Sequence, residues 1–244
     1  MDPMTAIAAS GLRARMESLD MLANNVANTS TGGYKADREF YSLYLAPEAQ
    51  ENDLPATMPL IERPWIDLSQ GVVHTTGNAL DVALNGPGFF PVTGPDGTLY
   101  TRNGSFSTAP NGTMVTAEGY AVQSAGGAPL VLQPARPVEI SEDGTVRQGG
   151  NVIGQLAVMD FASAEGLVKR GRNYFRVAGA AGGAASPSSA RVEQGKLEDS
   201  NTGAAESAVR LVSVMRQFEM LQKAASLGEE MNRQAVEEVA KVGS

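Results

Sequence analysis

Residues 2–33 read DPMTAIAASGLRARMESLDMLANNVANTSTGG, and they define the first long element of this chain. Asp2 is a helix cap, and Pro3 suits the first helical position, where its missing N–H costs nothing. Small and apolar residues then recur at alternating spacings of four and three, which predicts a helix that packs along one stripe. This stripe consists of Thr5, Ala9, Leu12, Met16, Leu19, Ala23 and Val26. Turn formers from Asn28 to Gly33 end the predicted helix near Ala27.

The C-terminal sequence carries a second stripe with the same spacing. Ser200 and Thr202 are candidate caps, and the pattern then continues almost to the end of the chain. Its positions are Leu211, Val214, Phe218, Leu221, Ala225, Gly228, Asn232, Ala235, Val239 and Val242. A helix over residues 202–242 would be ~60 Å long, against ~37 Å for the N-terminal helix. Each stripe requires a partner helix.

The sequence between the predicted helices changes character twice. Residues 34–69 contain four prolines and no sustained period, which predicts an extended connector with one short helix around Phe40–Leu45. From Gln70 to Val177, short β-type runs alternate with Gly, Asn and Asp turns, as in Pro95-Asp96-Gly97. This texture predicts an antiparallel β domain.

The predicted fold class is therefore α+β. A two-helix, coiled-coil-like domain combines residues 1–33 with 200–244, and residues 34–69 connect it to a central antiparallel β domain at 70–199. Within that domain, residues 178–190 form a Gly/Ala/Ser-rich stretch that is too small and polar to bury a core, which predicts a loop.

Composition excludes several classes of function. The formal charge of −8 and the scattered Lys and Arg oppose nucleic-acid binding, and no apolar run is long enough for insertion into a membrane. The first residues lack the basic and apolar regions of a cleaved signal peptide. The chain has no cysteine, which excludes disulfides and thiolate chemistry.

No residue pattern points to catalysis. His74 is the single histidine, too few for a zinc site unless carboxylates supply the other ligands. Asp96 and Asp143 precede glycines in turn signals, so turn geometry explains them better than glycosidase chemistry. We therefore predict no catalytic residue, no metal site and no cofactor, and hence no enzymatic activity.

Several segments resemble the flagellar rod and hook family. They are Ser10-Gly11-Leu12, LANNVANTSTGGYK at 22–35, QGVVHTTGNALDVALNGPGFF at 70–90, YTRNGSF at 100–106 and QGKLEDSN at 194–201. The blocks occur in the family's order and cover most of the chain. The string MRQFEM at 215–220 is more similar to the proximal-rod type than to the distal-rod type. One departure is Tyr34, which stands where the family usually has phenylalanine.

The resemblance implies a structural subunit of the bacterial flagellar basal-body rod that polymerises through its terminal helices. It implies three partners: other rod subunits, copies of the chain itself, and the flagellar type III export apparatus, which delivers subunits without a cleaved signal. The implied location is the periplasmic rod of the basal body. One alternative is a distal-rod or hook-family subunit, and a more remote one is a periplasmic β-domain binding protein.

The residues predicted at the subunit or helix interface come from both stripes and from the asparagines at the end of the first helix. They are Leu12, Met16, Leu19, Ala23, Asn24, Asn25, Val26, Asn28, Leu211, Val214, Phe218, Leu221 and Ala225. Asparagine is a weak helix former, and three asparagines lie within five residues here. We expect their amides to bond backbone groups at the helix end or neighbouring subunits, and so to fix register.

Overall fold

The computed structural model describes residues 3–39, 41–45, 57–61, 65–134, 136–161, 166–178 and 185–242. The chain divides into two compact units, which we call the helical unit and the β unit. The helical unit comprises Met1–Ala27, Asp37–Trp65 and Ala204–Ser244, and the β unit comprises Asn28–Ala36 and Ile66–Gly203. The chain thus enters and leaves the β unit twice.

Two long helices, α1 (Pro3–Ala27) and α2 (Ala204–Val242), and a series of short strands make up the described regular structure. The strands in the first third of the chain are β1 (Asp37–Arg38), β2 (Tyr41–Leu45), β3 (Thr57–Ile61), β4 (Trp65–Ile66), β5 (Val73–Thr75) and β6 (Val82–Asn85). The strands that follow are β7 (Phe90–Gly94), β8 (Gly97–Thr101), β9 (Ser107–Thr108), β10 (Met114–Val115), β11 (Ala121–Val122), β12 (Val138–Ile140) and β13 (Thr145–Gln148). The last are β14 (Asn151–Gln155), β15 (Met159–Asp160), β16 (Leu167–Arg170), β17 (Tyr174–Val177), β18 (Ser186–Pro187), β19 (Arg191–Gln194) and β20 (Lys196–Glu198).

The helical unit contains α1, α2, the short strand β1 and the hairpin of β2 and β3. α1 contacts both α2 and β3. α1 ends at Ala27, as the turn-forming sequence after it predicts, and α2 begins within two residues of the predicted start. Among the described residues, no helix has the apolar length that a membrane span requires.

The connector predicted at residues 34–69 is wrong in one respect. Residues 41–45 form a strand, not the short helix predicted around Phe40–Leu45, and Phe40 itself lies outside the described residues. This strand pairs antiparallel with β3, with Leu43 opposite Pro59. Proline is tolerated in β3 because each strand of a two-stranded sheet is an edge strand, and proline, which has no backbone N–H, occurs on edge strands.

The β unit contains a seven-stranded antiparallel sheet with the order β16-β17-β8-β7-β11-β10-β9. Short turns connect β7 with β8 and β16 with β17, and the β7–β8 hairpin has Val92 opposite Leu99 and Gly94 opposite Gly97. The inward faces of several strands meet in one apolar core. Its most deeply buried side chains are Val82, Leu84, Phe90, Val92, Met114, Val122, Val146 and Val192.

The Gly/Ala/Ser-rich stretch at 178–190 is only partly a loop. Residues 179–184 lie outside the described part of the chain, but Ser186–Pro187 form β18, which pairs with β15. Ala185 and Ala190 each pack against a hydrophobic cluster of the β unit. Small side chains fit closely against a sheet, so low hydrophobicity did not prevent this part from ordering.

Candidate assembly site

The predicted interface positions of α2 form the face that is shielded from solvent in the single subunit. Val214 is buried, and Leu211, Phe218, Leu221 and Ala225 are half-buried. The side chains of the last four positions of the predicted stripe lie outside the described part of the chain.

The stripe predicted on α1 is not the buried face of that helix. Met16 is 55% exposed, Ala23 is exposed, and Leu12, Leu19 and Val26 are half-buried. The buried positions are Gly11, Ala14, Ser18, Leu22 and Asn25. These positions also repeat at spacings of three and four, but at ~100° per residue they lie roughly 120° around the helix from the predicted stripe.

The buried face of α1 packs against α2 at Gly11. A Cβ atom added to Gly11 would lie 3.7 Å from Leu221 Cδ1, an ordinary van der Waals distance, so Leu221 packs against α1 here and an alanine would also fit. Besides the small residues Gly11, Ala14 and Ser18, this face includes Leu22 and Asn25. The role of the predicted α1 positions toward other subunits stays a prediction.

A second apolar stripe on α2 faces solvent. It consists of Val209, Val212, Met220, Leu227 and Met231, all exposed. At ~100° per residue, Val209, Met220 and Leu227 lie within roughly 20° of one another and roughly opposite Val214 and Phe218. An open groove of about 570 Å³ runs over its first three turns, with Val212 and Met220 in its lining and Arg216 between them.

The three asparagines at the end of α1, which were predicted to fix register, have different surroundings. Asn25 is buried, and its amide makes two bonds with one residue: Nδ2 donates to Asp37 O at 2.8 Å, and Oδ1 accepts from Asp37 N at 3.0 Å. In the β unit, Asn28 Oδ1 accepts from Thr31 Oγ1 at 3.1 Å. Asn24 is exposed. Asn25 and Asn28 thus bond groups near the helix end, while contacts of these asparagines with other subunits stay a prediction.

The β unit contains a buried cluster of three charged side chains, Lys35, Arg102 and Glu198. Lys35 Nζ lies 2.6 Å from Glu198 Oε1, and Arg102 Nε lies 2.6 Å from Glu198 Oε2. The exposed fractions of the side chains are 1%, 4% and 0%, respectively. Glu198 Oε1 also accepts from Gly71 N at 2.9 Å. One carboxylate therefore balances two cations out of contact with water.

Burial makes the charged form of Lys35 less favourable. Desolvation lowers the pKa of Lys35 below its ordinary value, and the attraction of Glu198 opposes part of that effect. Lys35 Nζ also donates to Ser69 O at 2.6 Å. A buried charge of this kind is tolerated only while its partner and hydrogen bonds are in place, because its hydration has been lost.

Arg102 also organises the turn between β6 and β7. Its guanidinium donates to Gly88 O at 2.5 Å, Gly86 O at 2.6 Å and Leu84 O at 3.2 Å. Two of these carbonyls belong to the glycine-rich turn and the third to β6, and the rigid fork of guanidinium donors bonds all three. The Gly86-Pro87-Gly88 sequence is therefore a turn whose backbone carbonyls are hydrogen-bonded by an arginine.

Tyr34 has a specific partner for the hydroxyl that distinguishes it from phenylalanine. Lys169 Nζ donates to Tyr34 Oη at 3.2 Å and lies 4.3 Å from the centre of the tyrosine ring. The ring itself is buried. The hydroxyl and the ring face together hold the lysine by a hydrogen bond and a cation–π contact.

Gly33 occupies a position that only glycine fits. Its φ is +66°, and an added Cβ would lie 2.4 Å from both Arg102 C and Asn103 N. We expect Gly33→Ala to destabilise the β unit by about 1 to 2 kcal/mol from the left-handed backbone and roughly 1 to 3 kcal/mol more from the clash. Urea unfolding followed by circular dichroism measures the loss.

Gly171 provides the matched control, because its φ is +70° and nothing lies within 4 Å of an added Cβ. Gly171→Ala should show the backbone cost alone. Equal losses from the two alanine variants would mean that the close approach to Arg102 and Asn103 has no energetic weight.

The polar residues considered for catalysis have structural partners. His74 Nδ1 lies 3.2 Å from Asp199 Oδ2 on a half-exposed surface. The carboxylate of Asp143 accepts from Thr145 N and Thr145 Oγ1, and these bonds lower its pKa. Asp96 pairs with Arg170. Within the described ranges, no group of three or more His, Asp or Glu side chains is placed to hold a metal ion.

Sequence reasoning missed the charge cluster because its members are far apart. Lys35 and Glu198 are separated by 163 residues, and Arg102 and Glu198 by 96. A usable signal existed all the same. Each of the three charged residues lies inside a block of family resemblance.

Three family models match the chain in order along the sequence. "Flagella basal body rod protein" matches residues 6–35, "Flagellar hook protein FlgE/F/G D1 domain" matches residues 83–148, and "Flagellar basal body rod FlgEFG protein C-terminal" matches residues 193–238. The first and last cover most of α1 and α2, and the middle one lies within the β unit.

Curated relatives match over nearly their whole length. The chain is 32% identical to the flagellar basal-body rod protein FlgF of Caulobacter vibrioides over 228 residues, covering 92% of each chain. It is 34% identical to the flagellar basal-body rod protein FlgG of Agrobacterium fabrum over 254 residues, covering 93% of this chain and 95% of the relative. Identity to the FlgF of Mesorhizobium japonicum is 30%, with 87% and 88% covered.

Proposed function

Because the chain belongs to the flagellar basal-body rod protein family of FlgF/FlgG type, and is a structural subunit of the rod, we propose that it polymerises through the helix faces that the single subunit leaves exposed. The observation that carries this proposal is the outer apolar stripe of α2. An exposed stripe of this kind on a helix is typical of a surface that another chain covers.

The dimensions of the stripe suit a helix-to-helix contact between subunits. From Val209 to Met231 it extends ~33 Å at 1.5 Å per residue. The open groove on this stripe is lined by residues of α2, among them the charged Arg216. Methionine is well suited to such a surface, because its flexible side chain adapts to more than one neighbour.

The predicted stripe of α1 is the complementary surface in this proposal. Leu12, Met16 and Leu19 lie on a side of α1 other than its buried face, and their exposed parts are available to a neighbouring subunit. Within the subunit, α1 and α2 pair along the small-residue face of α1 in a coiled-coil-like manner. Between subunits, the two exposed stripes differ from each other, so the contact is heterologous and propagates as a helix.

The proposed position is the proximal rod. The string at 215–220 favours the FlgF type, and FlgF proteins are among the relatives at 30% to 32% identity. A distal-rod position remains the alternative, because FlgG proteins are similar to the chain to the same degree. The proposed partners are other rod subunits and copies of this chain.

We further propose that the type III export apparatus delivers the subunit as an unfolded chain without a cleaved signal. An unfolded chain that enters an oxidising compartment is safer without thiols, which fits a sequence with no cysteine. After delivery, α1 and α2 fold against subunits already in place, and the ordering of both helices accompanies assembly.

The test compares Met220→Asp with Val152→Asp in a strain that lacks the native protein. The two side chains are 62% and 61% exposed, the first on the outer stripe of α2 and the second in β14. Each change should alter subunit stability by less than about 1 kcal/mol, since neither residue is in a core. We expect Met220→Asp to abolish rod assembly and motility and Val152→Asp to preserve both.

The opposite result would contradict the proposal. Normal rods with Met220→Asp and failed rods with Val152→Asp would move the assembly surface to the β unit. Circular dichroism of both purified variants separates an assembly defect from a folding defect.

A further inference from the structure

The last part of the β unit in sequence, residues 191–201, pairs with strands from its beginning. β19 pairs with β6, with Val192 opposite Leu84. β20 pairs with β5, with Leu197 opposite His74. Val192 is buried in the main apolar core together with side chains of β6, β7 and β8. The sheet partners of β5 and β6 are therefore supplied more than a hundred residues later.

Side-chain amides of the same segment bond backbone groups from four other regions. Gln194 Nε2 donates to Ala79 O and Val138 O at 2.8 Å each, and Gln194 Oε1 accepts from Ile140 N. Asn201 Nδ2 donates to Asp67 O at 2.7 Å, and Asn201 Oδ1 accepts from Ala36 N at 2.7 Å. Removal of the segment would leave these backbone groups without the partners they have here, at a cost for each that remains buried.

The segment also carries Glu198, the negative charge of the buried cluster. Lys35 and Arg102 both point at Glu198, and before Glu198 docks they would meet as two cations without the carboxylate between them. Asp67 is the other acidic group that acts on Lys35, and its effect on that residue is weaker. Two cations brought together out of water repel each other and lose their hydration, so the site remains open and hydrated until the carboxylate arrives.

We propose that residues 191–201 are a closing segment that gates the folding of the β unit. The strands before it do not form a stable core until it docks and neutralises Lys35 and Arg102. In a chain that emerges from its N-terminal end, the β unit then stays open until residue 201 is available. Premature folding of a partly emerged chain is avoided by the order of the sequence alone.

The test uses the intact wild-type chain. Refolding is started by dilution from denaturant, and pulsed hydrogen exchange with mass spectrometry records when each strand becomes protected. The proposal predicts that Val82–Asn85, Phe90–Gly94 and Gly97–Thr101 gain protection in the same kinetic phase as Arg191–Gln194. Protection of the β7–β8 hairpin in an earlier phase overturns the proposal.

A full-length insertion variant makes the dependence quantitative. A Gly and Ser insert between Gly182 and Gly183, as long as residues 86–190, doubles the chain that must close when β19 pairs with β6. Each doubling of loop length costs about 0.6 kcal/mol of closure entropy, so all of these strands should gain protection about threefold more slowly. The same insert appended after Ser244 should change nothing. An unchanged rate for β7 and β8 in the internal insertion variant refutes gating, even where β19 is slowed.

Discussion

Glu198→Gln is expected to destabilise the β unit by about 3 to 5 kcal/mol, because it removes a buried charge and leaves its partners in place. Glutamine has nearly the same shape, so the packing around residue 198 is retained. Lys35 and Arg102, however, would remain buried as two cations whose shared counter-charge is gone. A loss of this size is a large fraction of the stability of a typical domain.

Lys35→Met tests the same balance from the opposite side. It removes one cation and leaves the pair of Arg102 and Glu198 intact, so we expect a loss of only about 1 kcal/mol from the missing hydrogen bonds. In the Glu198→Gln background, Lys35→Met should restore part of the lost stability, because one uncompensated charge disappears. The double-mutant cycle measures this coupling directly.

The measurement must follow the unfolding of the β unit, which contains the charge cluster. Trp65 is the single tryptophan and lies at the boundary of the helical unit, so its fluorescence is not a specific signal for the β unit. Hydrogen exchange of the amides in β6 and β7 under increasing urea provides the free energy of unfolding locally. Equal losses from Glu198→Gln and Lys35→Met would show that charge balance does not hold the cluster together.

The sequence was most informative where local chemistry acts alone. Pro3 and the turn formers after Ala27 set both ends of α1, and the Pro95-Asp96-Gly97 signal produced the turn between β7 and β8. On α2, the predicted positions Val214, Phe218 and Leu221 lie on the face that is shielded within the subunit, although other large apolar residues such as Met220 and Leu227 are exposed.

On α1, two stripes of equal period compete, and the predicted one is not the face that is buried within the subunit. The larger residues Leu12, Met16 and Leu19 attract a periodicity argument, whereas the buried face begins with the small residues Gly11 and Ala14. Period alone does not say which stripe faces the same chain and which faces another.

Features that depend on contacts between distant segments could not be predicted from local sequence patterns. The β2–β3 hairpin joins residues on either side of a proline-rich stretch, and Pro59 argued against a strand where a two-stranded ladder permits one. The cluster of Lys35, Arg102 and Glu198 depends on three distant segments meeting. The position of each residue inside a block of family resemblance was the one sign of the cluster in the sequence.

The central claim, assembly through the exposed helix faces, has a direct test because the chain has no cysteine of its own. Val209→Cys and Val72→Cys each introduce one thiol at a valine that is 72% exposed, the first on α2 and the second in the β unit. Both thiols should react with a maleimide at similar rates in the isolated subunit. Motility of the strains that carry these variants establishes that both subunits assemble.

The deciding measurement is the rate of maleimide labelling in purified basal bodies. We predict that the Val209→Cys thiol reacts at least about tenfold more slowly there than in the isolated subunit, because well-packed interface positions exclude solvent and reagent. The Val72→Cys thiol should keep most of its reactivity. Undiminished labelling of the Val209→Cys variant in the basal body, together with protection of the Val72→Cys variant, would contradict assembly through the helices.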